Sequence, residues 1–137
     1  MTIKKGFTLV ELLITMAILG ILATLAVPTY QKTIAQNRAS EALVNLNIIH
    51  MGEKLYRLTN PGYYGDGTNK KITDINTALN LDMNSKYYGD NAGDVVITGD
   101  ANGYVATIKC STGCTKTFTN TYTEATNALD PTEGGSY

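Results

Sequence analysis

The chain has few residues of the types that build metal sites and nucleophilic catalytic sites. Its 137 residues include one histidine, His50, and two cysteines, Cys110 and Cys114. Two thiolates without further cysteine or histidine nearby do not complete a zinc shell, and we find neither a Ser-His-Asp set nor a phosphate-binding loop. We therefore predict a protein that is not an enzyme and holds no metal or other cofactor. His50 is interpreted as a surface or hydrogen-bonded residue.

The chain also lacks an excess of charge of either sign. Eleven lysine and arginine residues balance twelve aspartate and glutamate residues, for a net charge of −1. Nucleic-acid binding relies on a basic surface that neutralises phosphates, so this composition does not indicate it. Acidic residues do recur near glycines, at Asp90, Asp94, Asp100, Asp130 and Glu133. Their spacing matches no calcium-binding pattern, and we interpret them as solvated turn residues.

A long apolar run stands near the start of the chain, from Phe7 to Val27. As a helix rising about 1.5 Å per residue, it is long enough to cross a hydrocarbon core of about 30 Å. A single acid, Glu11, lies inside the run. A carboxylate there costs about 2.5 to 3.5 kcal/mol, so it calls for a partner and a function. Lys4 and Lys5 precede the run and favour a cytoplasmic start, which places the later residues outside the cytoplasm.

The sequence KKG at positions 4–6, followed by FTLVE at 7–11, resembles the prepilin peptidase site of bacterial type IV pilins and type II secretion pseudopilins. The stretch at 20–28 also matches. The resemblance implies cleavage between Gly6 and Phe7 by prepilin peptidase and N-methylation of the new N-terminus at Phe7. It further implies assembly into a helical filament whose core is a bundle of these N-terminal helices.

The same resemblance implies a role for Glu11 in assembly. Its carboxylate would neutralise the Phe7 amine of an adjacent subunit. The implied partners are other copies of the chain, the peptidase and an inner-membrane assembly platform. The unassembled subunit would reside in the inner membrane, and the assembled one in an extracellular pilus, or in the periplasm if the chain is a pseudopilin.

Two residues within this segment predict a local break in the helix, Gly20 and Pro28. Proline lacks the backbone donor that would bond the carbonyl of Thr24, so we expect a kink or an unwound stretch there. By resemblance to pilins, the segment between the two residues loses helical structure in the filament.

Two other interpretations of the N-terminal segment stay open. An ordinary secretory signal also has a basic start and an apolar core, and Thr24-Leu25-Ala26 would suit its cleavage. A plain membrane anchor without any assembly role is the second. The anchor gives Glu11 no purpose. An acid in the first turns of the core, an apolar run too long for a typical signal core and the Gly6-Phe7 junction all argue against the signal.

The fold class predicted is α+β and pilin-like, with one long N-terminal helix whose second half packs on a small antiparallel sheet. Beyond Tyr30 the apolar residues recur every three or four positions, which indicates an amphipathic helix up to about Leu58. The expected division is a leader at 1–6, a membrane or filament-core half-helix at 7–30, an amphipathic half at 31–58, a connector and sheet at 59–123, and a polar tail at 124–137.

Strand patterns begin after Lys86. Residues 95–98 and 104–110 flank a glycine-rich turn and predict a hairpin. We expect a third strand at 115–123, and the region of Tyr87 and Tyr88 suits another. One face of the second strand should contact the helix, namely Tyr104, Ala106, Ile108 and Cys110.

The remaining segments are predicted to be less regular. Residues 63–71 read as a loop rich in turn formers, in which Tyr63 and Tyr64 either contact neighbouring subunits or cap the core. A short helix should begin near Thr73 or Asp74. The tail from Glu124 onward should lie irregularly on the surface or fray. A disulfide between Cys110 and Cys114 is expected in an exported domain, since that compartment is oxidising.

These patterns favour a structural subunit of a type IV pilus, used for adhesion, twitching motility or DNA uptake. The alternatives are a pseudopilin of a type II secretion system and a membrane-anchored binding module that does not assemble.

Overall fold

The computed structural model describes residues 6–89, 91, 93–111 and 116–134. They form two compact units, one ending at Gln36 and the other running from Asn37. The elements are α1 (Leu9–Thr59), β1 (Asp66–Lys70), α2 (Ile72–Leu79), β2 (Val95–Gly99), β3 (Gly103–Lys109), β4 (Thr117–Thr123) and β5 (Ala128–Gly134). One long N-terminal helix is thus followed by a five-stranded antiparallel sheet, and the predicted α+β fold is confirmed.

Helix α1 begins and ends within two residues of its predicted bounds. Its last turn ends before Pro61, and the Arg57 side chain donates to the carbonyl of Asn60 at 3.2 Å. Gly20 and Pro28 both lie inside the helix, which is assigned without interruption across them. In the single chain these residues therefore do not end the helix, and the unwinding expected in a filament stays a prediction.

The first unit exposes almost all of its apolar surface. Every side chain from Gly6 to Thr33 is exposed, including the large residues Leu9, Leu19 and Leu25. Within the described residues, α1 is the one helix long and apolar enough to cross a membrane. Since burying a leucine side chain contributes roughly 1.5 to 3 kcal/mol, this unit needs lipid or other helices around it.

The second unit contains the sheet, with its strands in the order β1-β2-β3-β4-β5. Strands β2 and β3 form the predicted hairpin, with Ile97 opposite Ala106. Strand β4 pairs with β3 over its whole length and places Phe118 opposite Ile108 and Tyr122 opposite Tyr104. The third strand expected from the sequence is therefore present.

The core of this unit lies between one face of α1 and one face of the sheet. Alternation along β3 buries Tyr104, Ala106 and Ile108, as predicted, while Cys110 just beyond the strand is half-buried. The cluster also contains residues of α1, α2, β2 and β4 and the segments between them: Ala42, Leu46, Ile49, Ile75, Leu79, Tyr88, Val95, Ile97, Phe118 and Tyr122. Helix α2 matches the predicted short helix and presents Ile72, Ile75 and Leu79 to this core.

Two strands lie where the sequence predicted irregular structure, and both of those predictions were wrong. β1 occupies the expected loop, and β5 occupies the expected tail. Neither strand alternates apolar and polar residues, because both are edge strands held mainly by backbone pairing to β2 and β4. Pro131 in β5 fits an edge, since proline cannot donate to a second neighbour. The region of Tyr87 and Tyr88 contributes a single bridge, between Tyr88 and Cys110.

The tyrosines of the connector contribute to the core. Tyr63 is buried, with its ring 5.6 Å from that of Tyr104 and 5.7 Å from that of Tyr122. Tyr64 is half-buried and contacts the Tyr56 ring edge-on. In the single chain, Tyr63 therefore has the core role, which was one of its two predicted roles.

Two glutamates of α1 accept hydrogen bonds from segments of the second unit, mostly from backbone amides. Glu41 Oε1 accepts hydrogen bonds from the Ser85 hydroxyl and from the amides of Lys86 and Tyr87, at 2.8 to 2.9 Å. Glu53 is fully buried, and its Oε2 accepts the Tyr64 amide at 2.8 Å. The segments before β1 and before β2 are thus tied to the helix by carboxylates.

Glu53 sits in an environment that disfavours its charge. Burial raises the pKa of Glu53 to about 7, although the hydrogen bond from Tyr64 lowers it. Its second oxygen, Oε1, is buried without a hydrogen-bond partner among the described residues. One turn earlier, His50 Nδ1 lies 2.6 Å from the Tyr104 hydroxyl. Burial and the charge of Lys54 lower the pKa of His50.

Candidate assembly site

The carboxylate of Glu11 folds back onto the start of α1. Its Oε2 accepts the Thr8 amide at 3.0 Å and the Thr8 hydroxyl at 2.9 Å. The Thr8 hydroxyl in turn accepts the Glu11 amide at 3.2 Å. This reciprocal pairing is a capping box, in which threonine immediately before the helix and glutamate three residues later satisfy each other's backbone donors. Glu11 is thereby aimed at the N-terminal end of the helix.

The predicted cleavage junction lies next to this capping box. Gly6 and Phe7 precede the helix and are exposed, and a Cβ at Gly6 would meet no atom within 4 Å. Lys4 and Lys5 lie outside the described residues. An amine created at Phe7 would be one residue from Thr8, which already contacts the Glu11 carboxylate.

Thr8 was not predicted as a site residue, although the sequence contains a pattern that indicates its role. A threonine followed by glutamate three positions later, ahead of an apolar run, is the pattern of a capping box. The cost of a charge within an apolar run points to Glu11 but not to the residue that positions it. Thr8 supplies two of the groups that position it.

Near Gly20 and Pro28 the helix carries side chains that compete for its carbonyls. The Thr24 hydroxyl donates to the carbonyl of Ile21 at 2.7 Å, and the Thr29 hydroxyl to that of Leu25 at 3.1 Å. Such bonds weaken the backbone ladder and often bend helices. A Cβ at Gly20 would meet nothing within 4 Å. These residues suit a segment that can lose helical structure.

The other predicted site residues are located as follows. Cys110 is described, but Cys114 lies outside the described residues, so their disulfide stays a prediction. Among the described residues no group of three or more candidate ligands could hold a metal ion. Asp94 Oδ2 accepts the Asn91 amide and the Ser111 hydroxyl, and Asp100 Oδ1 accepts two turn amides. Asp90 is outside the described part of the chain.

Fold and N-terminal site together define a class of protein: a small sheet domain preceded by a long helix whose first half is apolar and exposed, with a capped acid near its start. Residues 1–27 match the family profile described as "Prokaryotic N-terminal methylation motif". The "Fimbrial protein EcpC" of Eikenella corrodens is 34% identical over 114 residues, which cover 83% of this chain and 68% of the relative. The chain belongs to the type IV pilin family.

Other relatives match mainly over a shorter stretch. The "Type IV major pilin protein PilA" of Myxococcus xanthus is 43% identical over 53 residues, which cover 39% of this chain and 24% of the relative. The "Type IV major pilin protein PilE1" of Neisseria gonorrhoeae is 54% identical over 43 residues, which cover 31% of this chain and 26% of the relative. The matched region thus spans about a quarter of these two proteins. No solved structure matches the chain.

Proposed function

We propose that this chain is cleaved between Gly6 and Phe7, methylated at Phe7 and polymerised into a type IV pilus through its N-terminal helices. Membership of the pilin family supports a subunit that assembles into pilus filaments. Polymerisation through the N-terminal helices is supported chiefly by the Glu11 carboxylate, which Thr8 holds at the start of an exposed apolar helix. The Phe7 amine of a neighbouring copy is the cation that this carboxylate receives.

The exchange of lipid for neighbouring helices needs only a small driving force. Lipid tails are about as apolar as leucine, so helices leave them for a bundle at little cost when packing is close. Opposite charges about 4 Å apart attract by roughly 4 kcal/mol at an effective dielectric of about 20, before desolvation is subtracted. Since Thr8 contacts only Oε2, the other carboxylate oxygen of Glu11 is available to the amine. The ion pair then selects the register between subunits.

The proposed partners follow from this assembly. Prepilin peptidase removes residues 1–6, and an inner-membrane platform inserts the subunit into the growing filament. The precursor resides in the inner membrane and the filament outside the cell, where it serves adhesion, twitching motility or DNA uptake. A periplasmic pseudopilus of a secretion system is the alternative within the same mechanism.

Mass spectrometry of material sheared from cells tests the proposal as a whole. We expect the chain among the sheared proteins, beginning at Phe7 and heavier at that residue by the mass of one CH2, since a methyl group replaces a hydrogen. Recovery only from the periplasm would favour the pseudopilin. A chain that keeps residues 1–6, or that never enters fibres, would contradict cleavage and assembly and favour the anchored module.

Replacing Thr8 with valine should reduce filament yield several-fold while leaving the precursor abundant. Valine keeps the shape but removes the hydroxyl that donates to Glu11 and accepts its amide, and loss of such a cap costs about 1 kcal/mol. Thr8→Ser, which keeps the hydroxyl, is the matched control and should assemble normally. Yields are compared by immunoblotting of sheared fibres against whole cells. Equal yields from the valine and serine variants would show that Thr8 does not position the carboxylate.

A further inference from the structure

The turn between β2 and β3 contains the one asparagine–glycine pair in the sequence, Asn102-Gly103. Its asparagine is exposed to solvent. Asparagine is among the chemically labile residues, and it loses its side-chain amide most readily before glycine. Glycine has no side chain to hinder its own backbone nitrogen, which is the group that attacks the asparagine. By local sequence, Asn102 is therefore the asparagine of this chain most prone to deamidation.

The fold requires glycine at position 103. Gly103 begins β3 and lies opposite Thr123 of β4. A Cβ built on Gly103 would overlap the backbone carbonyl oxygen of Tyr122. Any larger residue would push β3 and β4 apart, and glycine is the residue that permits such a close approach of two backbones. The hairpin therefore keeps its labile pair for a steric reason.

Deamidation of this pair needs only the chain itself and one water molecule. The Gly103 nitrogen loses its proton to solvent and attacks Asn102 Cγ, which forms a nitrogen–carbon bond. The bond from Cγ to the side-chain nitrogen breaks, and that nitrogen takes up a proton and leaves as ammonia. Water then opens the five-membered imide at one of its two carbonyls. The product is aspartate or isoaspartate, and the net change is the replacement of NH2 by OH.

The carboxylate of Asp100 opposes the first step of this reaction. Its Oδ1 accepts the Gly103 amide at 2.8 Å and the Asn102 amide at 2.6 Å. The Gly103 nitrogen must lose the proton that it donates here, and a hydrogen bond to a charged acceptor favours the protonated donor. Asp100 is itself held in place, since its carbonyl accepts the Tyr63 amide at 2.8 Å and its amide donates to the Gly103 carbonyl at 2.9 Å.

We propose that Asn102-Gly103 is a deamidation site of this chain and that the Asp100 carboxylate keeps its reaction slow. Asp100 then has a chemical role beyond that of the solvated turn residue expected from the sequence. The proposal does not depend on whether the chain polymerises.

Isoaspartate at position 102 would disturb the end of the sheet. The main chain would then run through the former side chain, which lengthens it by one carbon atom and leaves the old carbonyl as a free carboxylate. In the intact chain that carbonyl accepts the Glu124 amide at 2.8 Å and ties the turn to the residue that follows β4. A subunit in an extracellular fibre, the location proposed above, is not renewed in place, so slow damage of this kind accumulates.

The experiment compares the rate of deamidation at Asn102 in the wild type, Asp100→Ala and Asp100→Asn. Each full-length chain is incubated in detergent at mildly alkaline pH, and peptide mass spectrometry measures aspartate and isoaspartate at position 102 over time. Alanine removes both hydrogen bonds, so we expect deamidation to be about tenfold faster or more, the scale of a lost hydrogen bond to a charged group. Asparagine keeps an acceptor without the charge and should give a smaller, several-fold increase.

Asp94→Asn is the matched control. It removes the charge of a carboxylate in another turn, where Asp94 Oδ2 accepts the Asn91 amide at 2.9 Å, and should leave deamidation at Asn102 at the wild-type rate. Equal rates in the wild type and both Asp100 variants would refute the proposal. A wild-type rate as fast as that of a synthetic peptide of residues 98–107 would also refute it.

Amide hydrogen exchange of the same proteins separates the chemical role of Asp100 from a loss of structure. Base-catalysed exchange also begins with loss of the amide proton, so the Gly103 amide should exchange faster in both Asp100 variants by a factor similar to that for deamidation. The Ala106 amide, in the middle of β3, should keep its wild-type rate if the hairpin stays closed. Faster exchange at Ala106 in step with Gly103 would show that Asp100 acts only by holding the fold, and would overturn its chemical role.

Discussion

Glu11→Ala is expected to abolish filaments, with a loss of at least about a hundredfold in sheared fibre. The substitution removes the charge that pairs with the Phe7 amine of a neighbour, an attraction of roughly 4 kcal/mol before desolvation at an effective dielectric of about 20. It also removes the acceptor of the Thr8 amide and hydroxyl. Membrane insertion should improve, because the substitution removes a carboxylate that costs about 2.5 to 3.5 kcal/mol in the apolar run. Precursor should therefore accumulate in the inner membrane.

Glu11→Gln separates charge from hydrogen bonding at the same position. Glutamine keeps an oxygen that can accept from Thr8, but it offers no charge to the amine. If the ion pair drives assembly, the glutamine variant should be nearly as defective as alanine, and Glu11→Asp should retain part of the wild-type yield. Electron microscopy and immunoblotting of sheared fibres report the outcome. A normal number of fibres from either neutral variant would show that the ion pair does not drive assembly.

The second large effect concerns Glu53 and the pH dependence of stability. The pKa of this carboxyl is raised by burial from 4.5 to about 7, so the folded chain binds a proton that the unfolded chain has released between those values. Stability is then greatest below about pH 4.5 and falls as pH rises towards 7, where the loss levels off. The rise in pKa corresponds to at most about 3 kcal/mol. Thermal unfolding of the full chain in detergent, followed by tyrosine circular dichroism, measures this slope.

Glu53→Gln supplies the matched control for that slope. The amide cannot ionise, yet its oxygen can accept the Tyr64 amide as Oε2 does. Other titrating groups remain, among them His50, whose lowered pKa makes stability rise with pH below its ordinary value of 6.5. These groups contribute equally to both proteins, so they cancel in the difference in unfolding free energy between the wild type and the glutamine variant. A difference that does not change between pH 4.5 and 7 would show that the fold does not raise the pKa of Glu53.

Features that depend on residues a few positions apart could be predicted from the sequence. A repeat of 3.6 residues predicted the length of α1. A repeat of two residues, with turn formers between the strands, predicted the hairpin of β2 and β3 and the buried face of β3. Glu11 was found because a lone acid in an apolar run is costly wherever it occurs. Thr8 was also readable, since its capping box is a local spacing.

Other features had no local signal. The edge strands β1 and β5 are polar or irregular in sequence, and they became strands only because β2 and β4 offered free backbone groups beside them. Glu53 appears in the sequence as an ordinary polar residue of an amphipathic helix. Its burial depends on the connector folding back over α1 at Tyr64. The spacing of residues along α1 does not predict this contact.

The sequence by itself determined that this chain has an apolar N-terminal helix with an acid near a recognisable junction, because hydrophobicity, charge and capping act between residues a few positions apart. The tertiary structure decided which polar segments complete the sheet, which glutamate loses contact with water and which face of α1 is left uncovered. Those outcomes depend on contacts between residues far apart in the chain, since a side chain's burial is set by what folds over it.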